Sequence, residues 1–310
     1  MNTNPLMQYA RHSELTVKLV SPQDWYPEGF IQYTLDGEVE VYPMLPKDEL
    51  MLYNPDALLS GQAIINLIKS CCPSVLDPGK LFFPDANVLL LAIKRATYGD
   101  EHKQSHQCPE CLKKVELLST TNPEELAQLL KEGKVSDHAE EYTFNIDEVL
   151  MKTKRISGDV TVSIDGLTYY LQPLAISLKE QFSTISLKRG KLIKIYGDML
   201  NRTEDISDEE KNKLTSEINN IQQAIIESNN MIIAKCIKKV QLPDDSVVSD
   251  YNMIKEFVDN AKSGTIEKLN EKIKEFNKVG LPEELDVVCS ACGHEFKVPF
   301  EGFNQSDFFA

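Results

Sequence analysis

Residues 106–117 read HQCPECLKKVEL, and residues 287–298 read VVCSACGHEFKV. Each stretch holds two cysteines separated by two residues: Cys108 and Cys111, then Cys289 and Cys292. A Cys-x-x-Cys turn sets two sulfurs on one side of one ion, and two such turns complete the tetrahedron of a structural zinc site. KKVEL after the first pair and HEFKVPF after the second alternate in polarity. Both pairs are therefore expected at the tips of short hairpins, the order of a zinc ribbon. Gly293 follows the second pair, where a glycine lets the backbone turn toward a sulfur; Leu112 follows the first. One structural Zn2+ held by Cys108, Cys111, Cys289 and Cys292 would close a clamp across residues 112–288. His102, His106 and His294 lie near enough in sequence to replace a cysteine. A redox dithiol is disfavoured, because neither pair reads as the start of a helix after a core strand.

Working outward, the totals bound the remaining possibilities. A chain of 310 residues can bury a sizeable core. The longest apolar run, Val88–Ile93, is far short of the roughly 20 residues that span a membrane. The start, MNTNPLMQYARHSEL, lacks the basic and then apolar pattern of a signal peptide. The expectation is a chain used without export. The net charge is −15, from 48 acidic and 33 basic residues. Phosphate backbones are bound chiefly by Lys and Arg, so a general nucleic-acid binder is disfavoured, as is adsorption to anionic lipid. The cysteine count is seven, an odd number in a long chain, which argues against a secreted disulfide framework.

The pattern along the chain predicts an α+β fold: small β-hairpins and a split zinc ribbon with a largely helical insertion. Alternating runs flank Asp36-Gly37 within residues 30–44, and again Asp165-Gly166 within 159–173. Asp-Gly between such runs signals a hairpin. Helical spacing marks Leu58 to Ile68, Asp85–Tyr98 ending at Gly99, and residues 122–157 broken at Gly133. Ser177 with Glu180 and Ser207 with Glu210 fit capping boxes. The first opens a helix through Phe182 and Ile185. The second opens a long helix reaching about Val240, with Leu214, Ile218, Ile221, Ile225, Ile232 and Ile233 on one face. Thr265–Lys278 makes a further helix, stopped by Gly280. The expected divisions are 1–118, with the hairpin and first knuckle; 119–280, the insertion; and 281–310, with the second knuckle and an aromatic tail.

Motifs for chemistry are missing. The chain has no phosphate loop, no Gly-x-Gly-x-x-Gly, no Gly-x-Ser-x-Gly and no His-Glu-x-x-His. Four thiolates would close the metal's shell, whereas a catalytic zinc keeps a position open. The acidic pairs Glu140-Glu141 and Asp244-Asp245 read as solvated faces. No catalytic residue is expected, and no small-molecule substrate.

Laid out in order, these pieces resemble the phage T4-type baseplate proteins, components of the hub of contractile tails. The likeness rests on Leu19-Val20-Ser21-Pro22, Trp25-Tyr26-Pro27, Pro43-Met44, Lys47-Asp48-Glu49 and Ser60-Gly61. It continues through Ala96-Thr97-Tyr98-Gly99 into Cys108-Pro109-Glu110-Cys111. It ends with Cys289, Cys292, Gly293 and His294 running into FEGFNQSDFFA. Such a resemblance implies a structural part of the virion tail, assembled in the host cytoplasm and bound to other tail proteins, with the tape measure as a further candidate. Phe300, Phe303, Phe308 and Phe309 would either anchor a neighbouring subunit, as aromatics do at interfaces, or fold back over the ribbon. Two alternative roles are an assembly chaperone for the hub or tape measure, absent from the finished particle, and a zinc-ribbon nucleic-acid adaptor.

Overall fold

The computed structural model describes residues 10–53, 62–178, 208–276 and 278–300, with the single positions 6, 190, 194 and 197. Mixed helices and small antiparallel sheets make the fold α+β, as the hairpin and helix signals predict. Strand β1 (Leu15–Val17) pairs antiparallel with β2 (Val39–Val41), so that Leu15 faces Val41. The Asp36-Gly37 turn forms: Gly37 has φ +73°, and its N–H donates to the Thr34 carbonyl at 3.0 Å. It does not close the predicted hairpin. Phe30 and Ile31 are drawn into the core, Ile31 bridges Val75, and β2 takes β1 as its partner instead.

Three helices surround this ribbon: α1 (Pro46–Leu52), α2 (Gln62–Cys71) and α3 (Phe83–Tyr98). The predicted helix at Leu58 to Ile68 is seen from Gln62 onward; Leu58 and Leu59 lie outside the described residues. α3 starts two residues before the predicted Asp85, with Pro84 in its first turn, where a missing N–H costs nothing. It stops at Gly99, whose φ of +94° is open to glycine. Val88–Ile93 is buried on all sides, so α3 is a core helix.

One buried carboxylate ties this half together. Asp85 is fully buried, and its Oδ1 accepts the Val20 and Ser21 N–H groups at 2.6 and 2.9 Å. The Tyr26 hydroxyl donates to Oδ2 at 2.6 Å and accepts the Phe82 N–H at 3.0 Å. Burial pushes the Asp85 carboxyl above its usual range, against the pull of its hydrogen bonds from Tyr26, Ser21 and Val20. The stretches LVSP and WYP thus fold onto the start of α3.

The middle of the chain builds a four-stranded antiparallel sheet. Strands β5 (Val160–Ile164) and β6 (Leu167–Leu171) form the predicted hairpin, with Asp165 at φ 52° and Gly166 at φ 81° in its turn. β7 (Ile237–Gln241) lies beside β6, and β8 (Val247–Val248) completes the sheet. The long helix, α7 (Asp208–Lys235), therefore ends before the predicted Val240. Ile233, Ile237 and Val240 continue a helical spacing, but Ile237 and Val240 are buried as strand residues against the sheet's helices. Those helices include α8 (Tyr251–Asn260) and α9 (Ser263–Phe276); α9 ends just short of the predicted Lys278. Ser177 is described and already helical; the side chains of Leu214, Ile218 and Ile221, its box partner Glu180 with Phe182 and Ile185, and the Ser207–Glu210 box lie outside the described residues.

This second core and the first share Trp25, Ile156 and Val279, which pack against both. Trp25 meets Phe82 and Phe276 edge-on, at 6.3 and 6.2 Å between ring centroids. Gly280, at φ +127°, lies so close that an added Cβ would sit 3.4 Å from Pro84 Cβ.

Replacing Asp85 with Ala strands two buried N–H groups and a tyrosine hydroxyl. We predict a loss of about 3 kcal/mol in urea unfolding, and a smaller loss for Asp85→Asn, which keeps the Oδ1 acceptor. A cost for Asp85→Ala below about 1 kcal/mol would show that this carboxylate does not organise the N-terminal half.

Candidate metal centre

The remaining elements are two hairpins. β3 (Glu101–His106) pairs antiparallel with β4 (Glu140–Asn145), placing His106 opposite Glu140. β9 (Glu284–Val288) pairs with β10 (Glu295–Pro299), placing Val288 opposite Glu295. Two helices, α4 (Pro109–Thr121) and α5 (Pro123–Lys131), form the connection from β3 to β4, and α6 (Ile146–Met151) follows β4. Both hairpins stand on one base. Leu285, Val287 and Val298 pack with Leu91 of α3 and with Ile146 and Val149 of α6, and Tyr142 and Phe144 of β4 close the layer.

Two predicted local structures are corrected here. KKVEL is helix, not strand: Pro109 sits in the first turn of α4 behind Cys108 as N-cap, and Cys111 lies one turn in. Residues 122–157 are not helical throughout, because EEYTFN forms β4. The alternation of Tyr142 and Phe144 toward the core is a two-residue period within a helix-like charge pattern. The ground for setting aside a dithiol also fails for the first pair, which does begin a helix after a strand. The second pair of sulfurs, pressed against the first, is what argues for shared ligation.

The knuckles converge. Sγ of Cys108 lies 3.6 Å from Sγ of Cys292, and Sγ of Cys111 lies 3.7 Å from Sγ of Cys289. All four sulfurs lie within 4.8 Å of one another. A tetrahedral zinc with Zn–S of about 2.3 Å spaces its sulfurs about 3.8 Å apart, so the donor set fits one such ion. It does not fit disulfides, which need about 2.05 Å. Cys108, Cys111 and Cys289 are buried and Cys292 is partly exposed. Val135, Val115, Leu129 and Leu130 cover the cluster, so the helical hairpin α4–α5 serves as its lid. Burial pushes the Cys111 thiol up to about 12, although a hydrogen bond from the Ser136 backbone pulls it down.

The second knuckle has the expected turn. The Gly293 N–H donates to the Cys289 carbonyl and the Cys289 N–H to the His294 carbonyl, both at 3.0 Å, with Gly293 at φ 71°. The three histidines stand outside the cluster. His102 is buried, with Nδ1 2.8 Å from Lys94 Nζ; His294 stacks on Phe296; His106 faces Glu140 in the ladder. The converging ligand atoms among the described residues are all cysteine sulfurs.

A carboxylate beside the cluster escaped the sequence reading. Glu140, expected on a solvated face, turns toward the second knuckle. Its Oε2 accepts the Ser290 N–H at 3.1 Å, the Ser290 hydroxyl at 3.0 Å and the Tyr142 hydroxyl at 3.2 Å, and its Oε1 lies 3.8 Å from Cys289 Sγ. Burial opposes its charge, yet the bonds from Ser290 and Tyr142 win, and the carboxyl is held below its ordinary value. Glu141 points the other way, to Lys103 at 2.9 Å. Recognition of β4 would have separated the pair, since strand neighbours face opposite sides. Phe300 is half-buried, with its ring edge-on to His102 at 5.6 Å and to Phe144 at 6.5 Å. Phe303, Phe308 and Phe309 lie outside the described residues.

The fold brings two cysteine pairs from distant parts of the chain into one cluster above a base of packed hairpins. The sequence matches the family described as T4 bacteriophage base plate protein over residues 31–310, and the chain belongs to that family. No curated protein and no solved structure gives a significant match. Family membership supports a structural, non-enzymatic role in a phage tail baseplate, in contact with other tail proteins. No described helix is long and apolar enough to cross a membrane.

Outer contacts to metal ligands are commonly worth about 10–100-fold in affinity. Glu140→Gln loses the charge that accepts both Ser290 donors. We predict metal binding at least about tenfold weaker in competition with a chromophoric chelator. An unchanged affinity would reduce Glu140 to a surface contact.

Proposed function

We propose that the chain is a zinc-stabilised structural component of the baseplate hub that binds other tail proteins. The observation that carries this reading is the family match over residues 31–310. The cysteine cluster supports the metal: four sulfurs at zinc-like spacing, with no histidine or carboxylate among the converging atoms of the described residues. Four thiolates favour zinc over harder cations and leave no open position for a substrate. Cys108, Cys111, Cys289 and Cys292 would hold the ion, and its role would be to fix the two hairpins to each other.

Partner contacts would fall on the aromatic tail. Phe300 packs its ring on its own chain, which leaves Phe303, Phe308 and Phe309 as the anchors in this reading. The net charge of −15 weighs against nucleic acid as a partner. An assembly factor that leaves before the particle is finished, in the host cytoplasm, is the second reading of the same family. Its distinguishing feature is absence from mature tails.

Two outcomes are expected. Mass spectrometry of purified particles should find the chain in the tail fraction; its absence there, with presence in assembly intermediates, would favour the chaperone. A chain ending after Gly302 should keep its metal and its solubility but fail to join tail intermediates. Full assembly of that truncated chain would remove the tail from the partner surface.

A further inference from the structure

Strand β5 is an edge of the four-stranded sheet, and no described strand lies on its outer side. The hairpin fixes which backbone groups face outward. Asp165 and Gly166 both have positive φ, so Ile164 and Leu167 form the hydrogen-bonded pair that closes a two-residue turn. Bonded and non-bonded pairs alternate along an antiparallel ladder. Val160, Val162 and Ile164 therefore bond to β6, while the N–H and C=O groups of Thr161 and Ser163 point away from it. None of those four groups has a partner among the described residues. Folded proteins blunt such edges with charge, proline or brevity. The other described edges are blunted: β1, β2 and β8 have three residues or fewer, and β3, β4, β9 and β10 carry charged side chains. β5 reads VTVSI, five residues without charge, proline or glycine.

The two faces of the strand specify what fits beside it. Val160 and Val162 are half-buried at the border of the second core, on the side that the helices cover. Thr161 and Ser163 are exposed on the other side, with Ser163 Oγ 3.1 Å from Thr168 Oγ1. An added strand would extend the core with apolar residues opposite Val160, Val162 and Ile164, and would carry polar ones opposite Thr161 and Ser163. Charge separates a foreign strand from a second copy. Asp159 and Asp165 flank β5, both are exposed, and neither has an ion-pair partner among the described residues. Pairing the full length of β5 antiparallel with a second β5 would set Asp159 opposite the second copy's Asp165 at both ends. Like charges directly opposite are destabilising, and each copy carries a net −15. A strand with Lys or Arg at both ends meets two acids instead.

We propose that the outer edge of β5 accepts an extended segment of another protein that alternates apolar and polar residues and carries a cation at each end. The backbone of Thr161 and Ser163 holds it by main-chain hydrogen bonds, and its alternate side chains give the fit. The site is independent of the cysteine cluster, of the aromatic tail and of the baseplate reading.

The test is amide hydrogen exchange of the full chain, read by NMR, with the capped peptide KVTVTVK as the probe. In the free chain the Val162 and Ile164 amides should exchange slowly and those of Thr161 and Ser163 fast. Saturating peptide should slow Thr161 and Ser163. The same peptide N-methylated at both threonines should not, because it cannot donate to their carbonyls. The peptide EVTVTVE should bind about tenfold more weakly, since two opposite-charge pairs become two like-charge pairs. The double variant Asp159→Asn, Asp165→Asn should lose that preference; Asn tolerates the positive φ at 165 and keeps an acceptor for the Thr265 hydroxyl, which donates to Asp165 at 2.8 Å. The proposal is overturned if the Thr161 and Ser163 amides are already slow in dilute free chain, which would mean that the chain covers its own edge. Protection that grows with chain concentration alone would assign the edge to a second copy. No protection by KVTVTVK, equal protection by the N-methylated peptide, or equal affinity for the two end charges would also overturn it.

Discussion

Four sulfurs must meet although residues 112–288 separate the two pairs, and the rest of the structure is arranged around that closure. Each pair is delivered by its own hairpin, and neither hairpin could hold its partner by strand pairing. β3 and β4 bond only to each other, as do β9 and β10. The hairpins meet instead through side chains: an apolar base on α3 and α6, the cysteine cluster above it, and the Glu140–Ser290 bridge beside the cysteines. Two-stranded hairpins are marginal by themselves. A shared apolar base and a shared cysteine cluster bring them together, and an ion bound by the four sulfurs would make them one body.

The base depends in turn on α3. Leu91 carries the hairpins on one side, while Val88, Leu89 and Ile93 face the N-terminal core on the other. Asp85 sets the start of that helix against Val20, Ser21 and Tyr26. A buried carboxylate at one end of α3 and a sulfur cluster beyond its other end thus bracket the chain's central helix. The four-stranded sheet and its helices join through Trp25, Ile156 and Val279. Residues between the knuckles therefore enter the same packed body. They are not a loop hung from a metal.

The most legible features in the sequence were those set by local chemistry. Gly293, the Asp165-Gly166 turn and the Gly99 stop each act within a few residues and form as read, whereas the two Cys-x-x-Cys pairs converge although the first opens a helix and not a hairpin tip. The cysteine cluster required only that both knuckles be seen. What failed were features decided at long range. Asp36-Gly37 makes its turn, but whether Phe30–Ile31 pairs across it or enters the core depends on β1, which is short and distant. Ile237 and Val240 keep a helical spacing until β6 captures them as a strand. EEYTFN sits among charged residues that favour helix, and β3 makes it a strand. Glu140 was invisible for the same reason: its importance comes from Ser290, on the other hairpin.

Zinc K-edge X-ray absorption of the purified chain reads the ligand set itself. One zinc per chain with four sulfur neighbours at about 2.3 Å is expected. A spectrum with nitrogen or oxygen replacing two of the sulfurs, or a pure and folded chain without metal, would contradict it.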